Sequence, residues 1–223
     1  SIVAHDLRSP FVTLLGFSEL LVQEIDDLGK EEAKQFSQNI HISAKRVYHL
    51  LENLLQWSKI QTDRMQFNPE KLSLNKLVSD IFILFDGNAI IKGVNLSSNI
   101  ENDVFIVADR NMLETIIRNL ISNAIKFTKT GGTVFIGSKK IKDFSEISVA
   151  DSGVGIPKEN ITRVFSIDNF VSTPDTENRK GSGLGLILAK EFVEKNGGKL
   201  NVESEVGKGT TIKFTLPNAV AES

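Results

Sequence analysis

A histidine and an aspartate stand side by side near the start of the sequence, in the segment 4–10 (Ala-His-Asp-Leu-Arg-Ser-Pro). A carboxylate within hydrogen-bond reach of an imidazole fixes its tautomer and leaves the other ring nitrogen nucleophilic. At about 100° per residue, His5 lies on the opposite side of a predicted helix from the apolar stripe of Val3, Leu7, Phe11, Leu14, Leu21, Ile25 and Leu28. The pattern predicts an exposed histidine, although a lone histidine on a helix is more often structural or solvated than reactive.

A second set of polar residues lies on a predicted helix over residues 110–127. Asn119, Asn123 and Lys126 are four and three residues apart, which places them on one face, opposite the leucines and isoleucines of the same helix. Amide oxygens can coordinate Mg²⁺, and an ammonium group can balance the charge of a phosphate. This face is therefore either part of a phosphate site or an ordinary polar surface.

Two glycine-rich segments complete the candidate chemistry. The segment 151–156 (Asp-Ser-Gly-Val-Gly-Ile) follows a predicted strand, and its glycines permit a tight turn and the close approach of a flat ligand. Its aspartate could accept a hydrogen bond from an adenine amino group, or could form an ordinary Asx turn. The segment 181–186 (Gly-Ser-Gly-Leu-Gly-Leu) opens a predicted helix, where backbone N–H groups can bind phosphate. No strand precedes it, as a dinucleotide fingerprint requires, and 207–210 (Gly-Lys-Gly-Thr) lacks the ending of a phosphate loop.

The elements that must position these residues begin with two long helices. Helices predicted over 1–28 and 31–63 form an antiparallel hairpin, with Gly29 just past the end of the first helix. One hairpin buries only a strip on each helix, whereas two copies make a four-helix bundle with a proper core. We therefore expect a helical domain over 1–64 and a homodimer through residues 1–63.

The rest of the chain is predicted as a linker over 65–74, a second domain over 75–217 and a tail over 218–223. Helices are predicted over 75–86, 110–127 and 184–196, and the region 151–182 is predicted as a polar loop. Strands are predicted over 94–100, 104–108, 133–141, 145–150, 199–205 and 210–216. The fold class is α+β with two domains, in which an α/β two-layer sandwich follows the helical hairpin.

Composition excludes several classes of protein. The 223 residues carry a net charge of −2 and no cysteine, so nucleic acid is not the implied partner, and disulfides and thiolate metal sites are excluded. No apolar run is long enough to span a membrane, and no signal peptide is recognised. The chain starts within a helical pattern without a capping residue, so we expect a fragment from which an upstream segment is missing.

Taken together and in this order, the segments resemble the catalytic core of a sensor histidine kinase of two-component signalling. The segment 4–10 is similar to the phosphoacceptor box, and 119–128 (Asn-Leu-Ile-Ser-Asn-Ala-Ile-Lys-Phe-Thr) is similar to the N box. The segments 151–156, 181–186 and 207–210 are similar to the three glycine boxes, and Phe165 and Phe170 stand where the phenylalanine box lies. The resemblance covers essentially the whole chain and implies a sandwich of the histidine-kinase ATPase type.

The resemblance implies a role for each matching residue, with ATP and Mg²⁺ as cofactors. His5 would accept the phosphoryl group, and Asp6, where the family usually has Glu, would act as the general base. Ser9 replaces the common Thr or Asn at a position tied to dephosphorylation of the regulator. Asn123 would hold Mg²⁺. The implied ATP-binding residues are Asn119, Asn123, Lys126, Asp151, Gly153, Gly155, Phe165, Gly181, Gly183, Leu184, Gly185 and Thr210, and residues 166–180 resemble the mobile ATP lid.

The resemblance also implies partners and a location. The phosphoryl group would pass from His5 to an aspartate in the receiver domain of a response regulator, and the sensor domain would lie upstream of this chain. We expect this fragment in the cytoplasm and its parent anchored in the bacterial inner membrane. Two other classes remain open, namely an ATPase related to the chaperone and mismatch-repair ATPases, and a dimerising scaffold that binds nucleotide without catalysis.

Overall fold

The computed structural model of the protein describes residues 2–62, 65–101, 104–166, 176 and 183–219, and for residues 2–6 it describes the backbone alone. The chain divides into two compact units, residues 1–64 and 65–223. None of the helices within the described part of the chain combines the length and the apolar character that a membrane span needs.

The first unit is a hairpin of two long helices, α1 (Ile2–Glu24) and α2 (Lys30–Gln61). The helices pack along each other, with the rings of Phe17 and Phe36 5.3 Å apart between centroids. The most buried side chains of α2 are Ser43, Val47 and Leu50, which recur at helical spacing as the predicted stripe requires.

The turn between these helices differs from the prediction. Gly29 precedes the first residue of α2, with an extended backbone (φ −65°, ψ 148°), and its amide donates to the carboxylate of Glu32 at 3.3 Å. The first helix instead ends at Glu24. Asp26 and Asp27 lie two and three residues further on. Negative charge near the carboxyl end of a helix is unfavourable because it meets the negative end of the helix dipole.

The second unit contains a five-stranded sheet with the strand order β2-β4-β5-β7-β6 and a separate two-stranded sheet of β1 and β3. In the larger sheet β2 runs parallel to β4, and the other pairs are antiparallel. The strands are β1 (Pro69–Ser73), β2 (Asn95–Asn99), β3 (Phe105–Asp109), β4 (Thr133–Ile141), β5 (Phe144–Asp151), β6 (Leu200–Glu205) and β7 (Gly209–Pro217). The helices are α3 (Leu74–Lys92), α4 (Arg110–Phe127), the short α5 (Lys158–Ile161) and α6 (Leu184–Lys195).

The three long helices cover one face of the larger sheet. Burial alternates along β5 and β7, as expected when one face of a strand meets a core and the other meets solvent. Side chains buried on the covered face include Val134, Ile136, Ile147, Val149, Ile212, Phe214 and Leu216. The predicted fold class, a helical hairpin followed by an α/β two-layer sandwich, is confirmed.

Helix α4 lies at the centre of this core and is fixed at its first turn by Asp109. The Asp109 carboxylate accepts from the amide of Met112 at 3.1 Å and from that of Asn68 at 3.0 Å. The Asp109 amide donates to the side-chain oxygen of Asn196 at 2.8 Å, which connects the start of α4 to the end of α6. The sequence predicts the bounds of α4 correctly because the capping aspartate and the apolar periodicity agree.

Three predicted boundaries in this unit change. Within the predicted linker, β1 pairs antiparallel with β3, so the linker range is part of the second unit. Helix α3 continues past Gly87 to Lys92 and ends at Gly93 in the left-handed region (φ 67°). Burial of Ala89 on the core side outweighs the weak helix preference of Gly87. The predicted loop 151–182 contains α5 and a turn of 3₁₀ helix at Arg163–Phe165, which are too short to show a period.

Replacement of Asp109 by alanine is expected to lower the free energy of unfolding by about 2 kcal/mol, because the first turn of α4 loses its cap. Urea unfolding followed by circular dichroism measures the change. Asp86→Ala, at an exposed position of α3, is the matched control and should change stability by less than about 0.5 kcal/mol. Equal losses in the two variants would show that the cap does not stabilise α4.

Candidate nucleotide site

Three polar residues form a row across the covered face of the sheet, at the end where β5 stops and β7 begins. Asp151 lies opposite Thr210 in the pairing of β5 with β7, and Ser204 lies opposite Thr210 in the pairing of β6 with β7. Directly paired residues in antiparallel strands place their side chains on the same face, close enough to interact. The row therefore presents a carboxylate and two hydroxyl groups at one edge of the core.

Asp151 is the charged member of this row. Its Oδ1 accepts hydrogen bonds from the amide of Gly153 at 2.9 Å and from the amide of Thr210 at 3.2 Å. Burial raises the pKa of Asp151 above its ordinary value, and these two amides offset part of the rise. Both are fixed donors on the main chain, and both reach Oδ1. The contact with Gly153 forms an Asx turn, and the contact with Thr210 adds a second donor from β7. A carboxylate held in this way can accept a further hydrogen bond from a neutral N–H group.

The loop after Asp151 approaches the main chain of its neighbours so closely that side chains do not fit. A Cβ atom at Gly153 would overlap the carbonyl of Phe127, at the end of α4, and the next amide, that of Val154, donates to this carbonyl at 3.1 Å. Gly155 has φ 72°, and a Cβ there would overlap the carbonyl of Glu205. Glycine is needed at 155 for both reasons. The loop thus connects α4 with the turn between β6 and β7.

The polar face of α4 lies next to the start of α6. Asn119 and Asn123 are half-buried on this face. Among the described residues, the side-chain nitrogen of Asn119 is buried and has no hydrogen-bond partner. The ideal Cβ position of Gly185 is 3.1 Å from Asn119 Oδ1, so the second glycine box lies against the N box. A buried amide that has no partner is the kind of group a polar ligand would satisfy.

Lys126, the third predicted residue of this face, lies on the last turn of α4. Its ammonium group lies 5.2 Å from the centroid of the Phe127 ring. Its carbonyl accepts from the hydroxyl of Thr176 at 3.1 Å, and Thr176 belongs to the region that resembles the lid. The neighbouring Lys92, which the sequence analysis does not single out, donates to the carbonyls of Ile125 and Lys126 at 2.8 and 2.6 Å. An ammonium group at the carboxyl end of α4 is favoured by the helix dipole.

Among the remaining predicted ATP-binding residues, Gly183 and Leu184 lie at the start of α6, and Phe165 lies in the 3₁₀ turn. Gly183 precedes α6 with φ 66°. Leu184 is the first residue of the helix, and its side chain is only 5% exposed. A ligand could therefore contact Leu184 only through its main chain. Phe165 is half-buried at the end of the 3₁₀ turn. Gly181, Phe170 and nearly all of 166–180 lie outside the described residues.

The predicted phosphoacceptor segment lies on α1. His5 and Asp6 are part of this helix, and their side chains lie outside the description. Arg8, Ser9 and Val12, which the predicted helix places on the same side as His5, are exposed. The carbonyl of Ser9 accepts from the hydroxyl of Thr13 at 3.2 Å.

Ser204 is a site residue that the motifs do not reveal. Its hydroxyl oxygen accepts from the amide of Ile156 at 2.7 Å and lies 2.9 Å from the hydroxyl oxygen of Thr210. It also donates to the carbonyl of Gly209 at 3.0 Å. Polar residues that alternate with apolar ones in 200–205 could have indicated an inward hydroxyl, but only the strand register shows what it faces.

The side chains available as metal ligands can be compared with the needs of the predicted magnesium ion. Within the described part of the chain, no group of three or more His, Cys, Asp and Glu side chains forms a metal site. Mg²⁺ commonly takes few protein ligands and several from substrate phosphates and water. Asn123, half-buried beside Asn119, fits such a site as a single amide ligand.

Comparisons with known proteins agree with this architecture. Residues 1–63 match the family model of the His Kinase A (phospho-acceptor) domain. Residues 108–220 match the family model described as histidine kinase-, DNA gyrase B- and HSP90-like ATPase. The two matches fall on the hairpin and on the domain that contains the polar row.

Relatives and solved structures extend the similarity over the whole chain. The sensor histidine kinase WalK of Bacillus subtilis is 34% identical over 220 residues, which are 96% of this chain and 35% of WalK. The crystal structure of the histidine kinase ThkA in complex with the response regulator protein TrrA has a TM-score of 0.75 at 24% identity and covers 97% of this chain and 60% of that one. Full-length ShkA in complex with AMPPNP has a TM-score of 0.73 at 24% identity, with coverage of 98% and 45%.

The fold and the site define a class: a phosphoacceptor hairpin joined to an ATPase-type domain. The chain belongs to the histidine kinases and corresponds to the catalytic core of a sensor histidine kinase. The resemblance stated from the motifs is confirmed. The chain spans about a quarter to two fifths of the length of the curated relatives that it matches.

Asp151→Asn is expected to lower ATP affinity on the order of 10- to 100-fold, the usual effect of losing a hydrogen bond to a charged group. It should leave the folded chain at least as stable at neutral pH. The pKa of Asp151 is higher in the folded chain than in the unfolded chain, so its contribution to stability falls as pH rises from the ordinary value through the raised one. Titration calorimetry and thermal unfolding measure the two effects.

The pH dependence provides a second test of the same residue. ATP affinity of the parent chain should fall as acidification protonates Asp151, and this component should be absent from Asp151→Asn. Asp143→Asn removes an equal charge from the exposed turn between β4 and β5 and should match the parent in affinity and pH profile. Identical profiles for the parent and Asp151→Asn would refute the assignment.

Proposed function

We propose that the chain transfers the γ-phosphoryl group of ATP to His5 and then to an aspartate of a response regulator. The observation that carries this proposal is that one chain combines a phosphoacceptor hairpin with an ATPase-type domain. In that domain the half-buried carboxylate of Asp151, whose pKa is raised by burial, lies opposite Thr210. The domain division follows the motifs: residues 1–64 dimerise and carry the phosphoacceptor, and 75–217 bind ATP. We propose that the sensor domain lies in a part of the parent protein outside this chain.

The first proposed step is a nucleophilic displacement at the γ-phosphorus of ATP. The lone pair of one imidazole nitrogen of His5 attacks the γ-phosphorus, the bond to the β-phosphate oxygen breaks, and ADP leaves. Asp6 accepts the proton of the other ring nitrogen, so that the imidazole ring of the phosphohistidine is left neutral. Such transfers depend mainly on positioning and charge stabilisation. In the second step Asp6 returns the proton to the ring, a regulator carboxylate attacks the same phosphorus, the P–N bond breaks, and neutral His5 is the leaving group.

The ATP site would use the residues that the second unit brings together. The Asp151 carboxylate would accept from the adenine amino group, with Gly153 and Gly155 leaving room for the base. Asn119, whose buried amide nitrogen has no described partner, would contact a phosphate together with Lys126. The main-chain amides at the start of α6 would do the same. Asn123 would hold Mg²⁺, which supplies charge neutralisation at the triphosphate.

Dimerisation and regulator binding belong to the hairpin. Large apolar side chains remain exposed on it, and they include Leu15, Val22, Ile25, Tyr48 and Leu55. A second copy would bury them in a four-helix bundle. ThkA has been solved in complex with the response regulator TrrA, and we propose a receiver partner that docks near His5. We place this fragment in the cytoplasm, and its parent in the inner membrane.

His5→Gln is expected to abolish incorporation of label from γ-labelled ATP, because glutamine lacks a nucleophilic ring nitrogen. Acid-labile, alkali-stable label on the parent chain identifies phosphohistidine. The chain has only two other histidines, so His41→Gln and His49→Gln, both at exposed positions of α2, are matched controls that should retain labelling.

The labelling experiment also separates the rival functions. ATP turnover without label on the parent chain would favour the plain ATPase. ATP binding with neither turnover nor label would favour the scaffold. Label that survives His5→Gln would show that another residue is the acceptor.

Leu55→Glu is expected to raise the dimer dissociation constant on the order of 100-fold, because each subunit loses a buried leucine and gains a charge in the bundle. Sedimentation equilibrium measures the constant. Ile91→Glu, at a position 87% exposed on α3, is the control and should leave the dimer intact. A monomeric parent chain would contradict the proposed bundle.

A further inference from the structure

The hydrogen bonds around Ser204 point to a role in recognition of the nucleotide base. Ser204 is half-buried on β6, at the end of the polar row and separated from Asp151 by Thr210. Its hydroxyl is within hydrogen-bond distance of three groups from two different segments: the amide of Ile156, the carbonyl of Gly209 and the hydroxyl of Thr210. Ile156 is the last residue of the loop that begins at Asp151.

A serine hydroxyl has one proton to donate and can accept two hydrogen bonds. The amide of Ile156 can only donate, so it occupies one acceptor position of Ser204 at 2.7 Å. The carbonyl of Gly209 can only accept, so it takes the Ser204 proton at 3.0 Å. The contact with Thr210 at 2.9 Å is then satisfied when Thr210 donates to Ser204. This assignment uses the full capacity of Ser204.

The direction of that last hydrogen bond determines what Thr210 offers to a ligand. With its only proton committed to Ser204, the Thr210 hydroxyl retains acceptor capacity alone. Its neighbour across the strand pair is Asp151, an acceptor whenever it is ionised. The two adjacent groups then both require a donor from the base. Adenine carries an amino group at its 6-position, whereas a 6-oxo purine carries an acceptor there.

We propose that Ser204 is a positioning residue that makes the pocket selective for adenine over 6-oxo purines. It does so by fixing the proton of Thr210 toward β6 and by holding the loop 151–156 against the turn between β6 and β7. The inference rests on the proposed ATP site and adds a determinant of base selectivity to it. Without the Ser204 hydroxyl, Thr210 could rotate and donate to a 6-oxo group.

The test compares the affinity of ATP with that of inosine triphosphate, which has oxygen in place of the 6-amino group. Titration calorimetry on the full chain gives both dissociation constants. Ser204→Ala should lower ATP affinity about fivefold or more, because the half-buried amide of Ile156 and the hydroxyl of Thr210 lose their partner. It should also lower the ratio of ATP affinity to inosine triphosphate affinity by at least about fivefold. A variant that is partly unfolded would weaken both ligands equally and leave this ratio unchanged.

Three further variants distinguish a positioning role of Ser204 from an effect on stability alone. Ser204→Thr keeps the hydroxyl and should hold the parent ratio within about twofold. Ser148→Ala removes a hydroxyl from β5 that lies 3.4 Å from the carbonyl of Gly137, outside the polar row, and should leave the ratio unchanged. If Ser204→Ala does not fold, Ser204→Cys, with a weaker donor of similar shape, should show the same fall in ratio.

An unchanged ratio in Ser204→Ala, with ATP bound normally by the parent chain, would overturn this inference and leave the proposed function intact. Failure of the parent chain to bind ATP would overturn both. A fall in the ratio that Ser204→Thr reverses would support the inference.

Discussion

Partial burial of one carboxylate, that of Asp151, is the constraint on which the candidate site depends. An ionised carboxylate that is removed from water is stable only if donors replace the lost hydration. The amides of Gly153 and Thr210 provide them. To bring both to one oxygen, the chain must turn sharply after β5 and β7 must begin directly alongside. The close main-chain contacts at Gly153 and Gly155 follow from that arrangement.

Helix α4 transmits this constraint to Asn119 and Asn123, where we propose that the phosphates bind. Its first turn is held by Asp109 and Asn196, and its last carbonyls accept from Lys92. A helix that is fixed at both ends places Asn119 and Asn123 at a defined height above the sheet. The carbonyl of Phe127 binds the loop that begins at Asp151. The proposed base site and the proposed phosphate site therefore share one rigid element.

Much of the fold and part of the candidate site could be predicted from the sequence. Helix α4 is predicted with its observed bounds because cap and periodicity agree. The first glycine box lies at the end of β5, and the described part of the second lies at the start of α6, as the motifs indicate. Gly29 is wrongly predicted to follow the end of the first helix, whereas it precedes α2. The helix predicted over 75–86 is too short, because α3 continues through Gly87. Ser204 and Lys92 could not be predicted, because their partners are 48 and 33 residues away and depend on strand register and helix packing.

The polar row is held together by residues that lie far apart in the sequence. The contact between Thr210 and Asp151 spans 59 residues of chain, and that between Asp109 and Asn196 spans 87. Contacts of such high sequence separation carry a large loop-closure entropy and form late in folding. A partly folded chain can contain α4 and the β4–β5 hairpin without any nucleotide pocket. A nucleotide would consequently bind only to the chain with the completed sheet. Each tenfold increase in nucleotide concentration above the dissociation constant would raise the free energy of unfolding by about 1.4 kcal/mol.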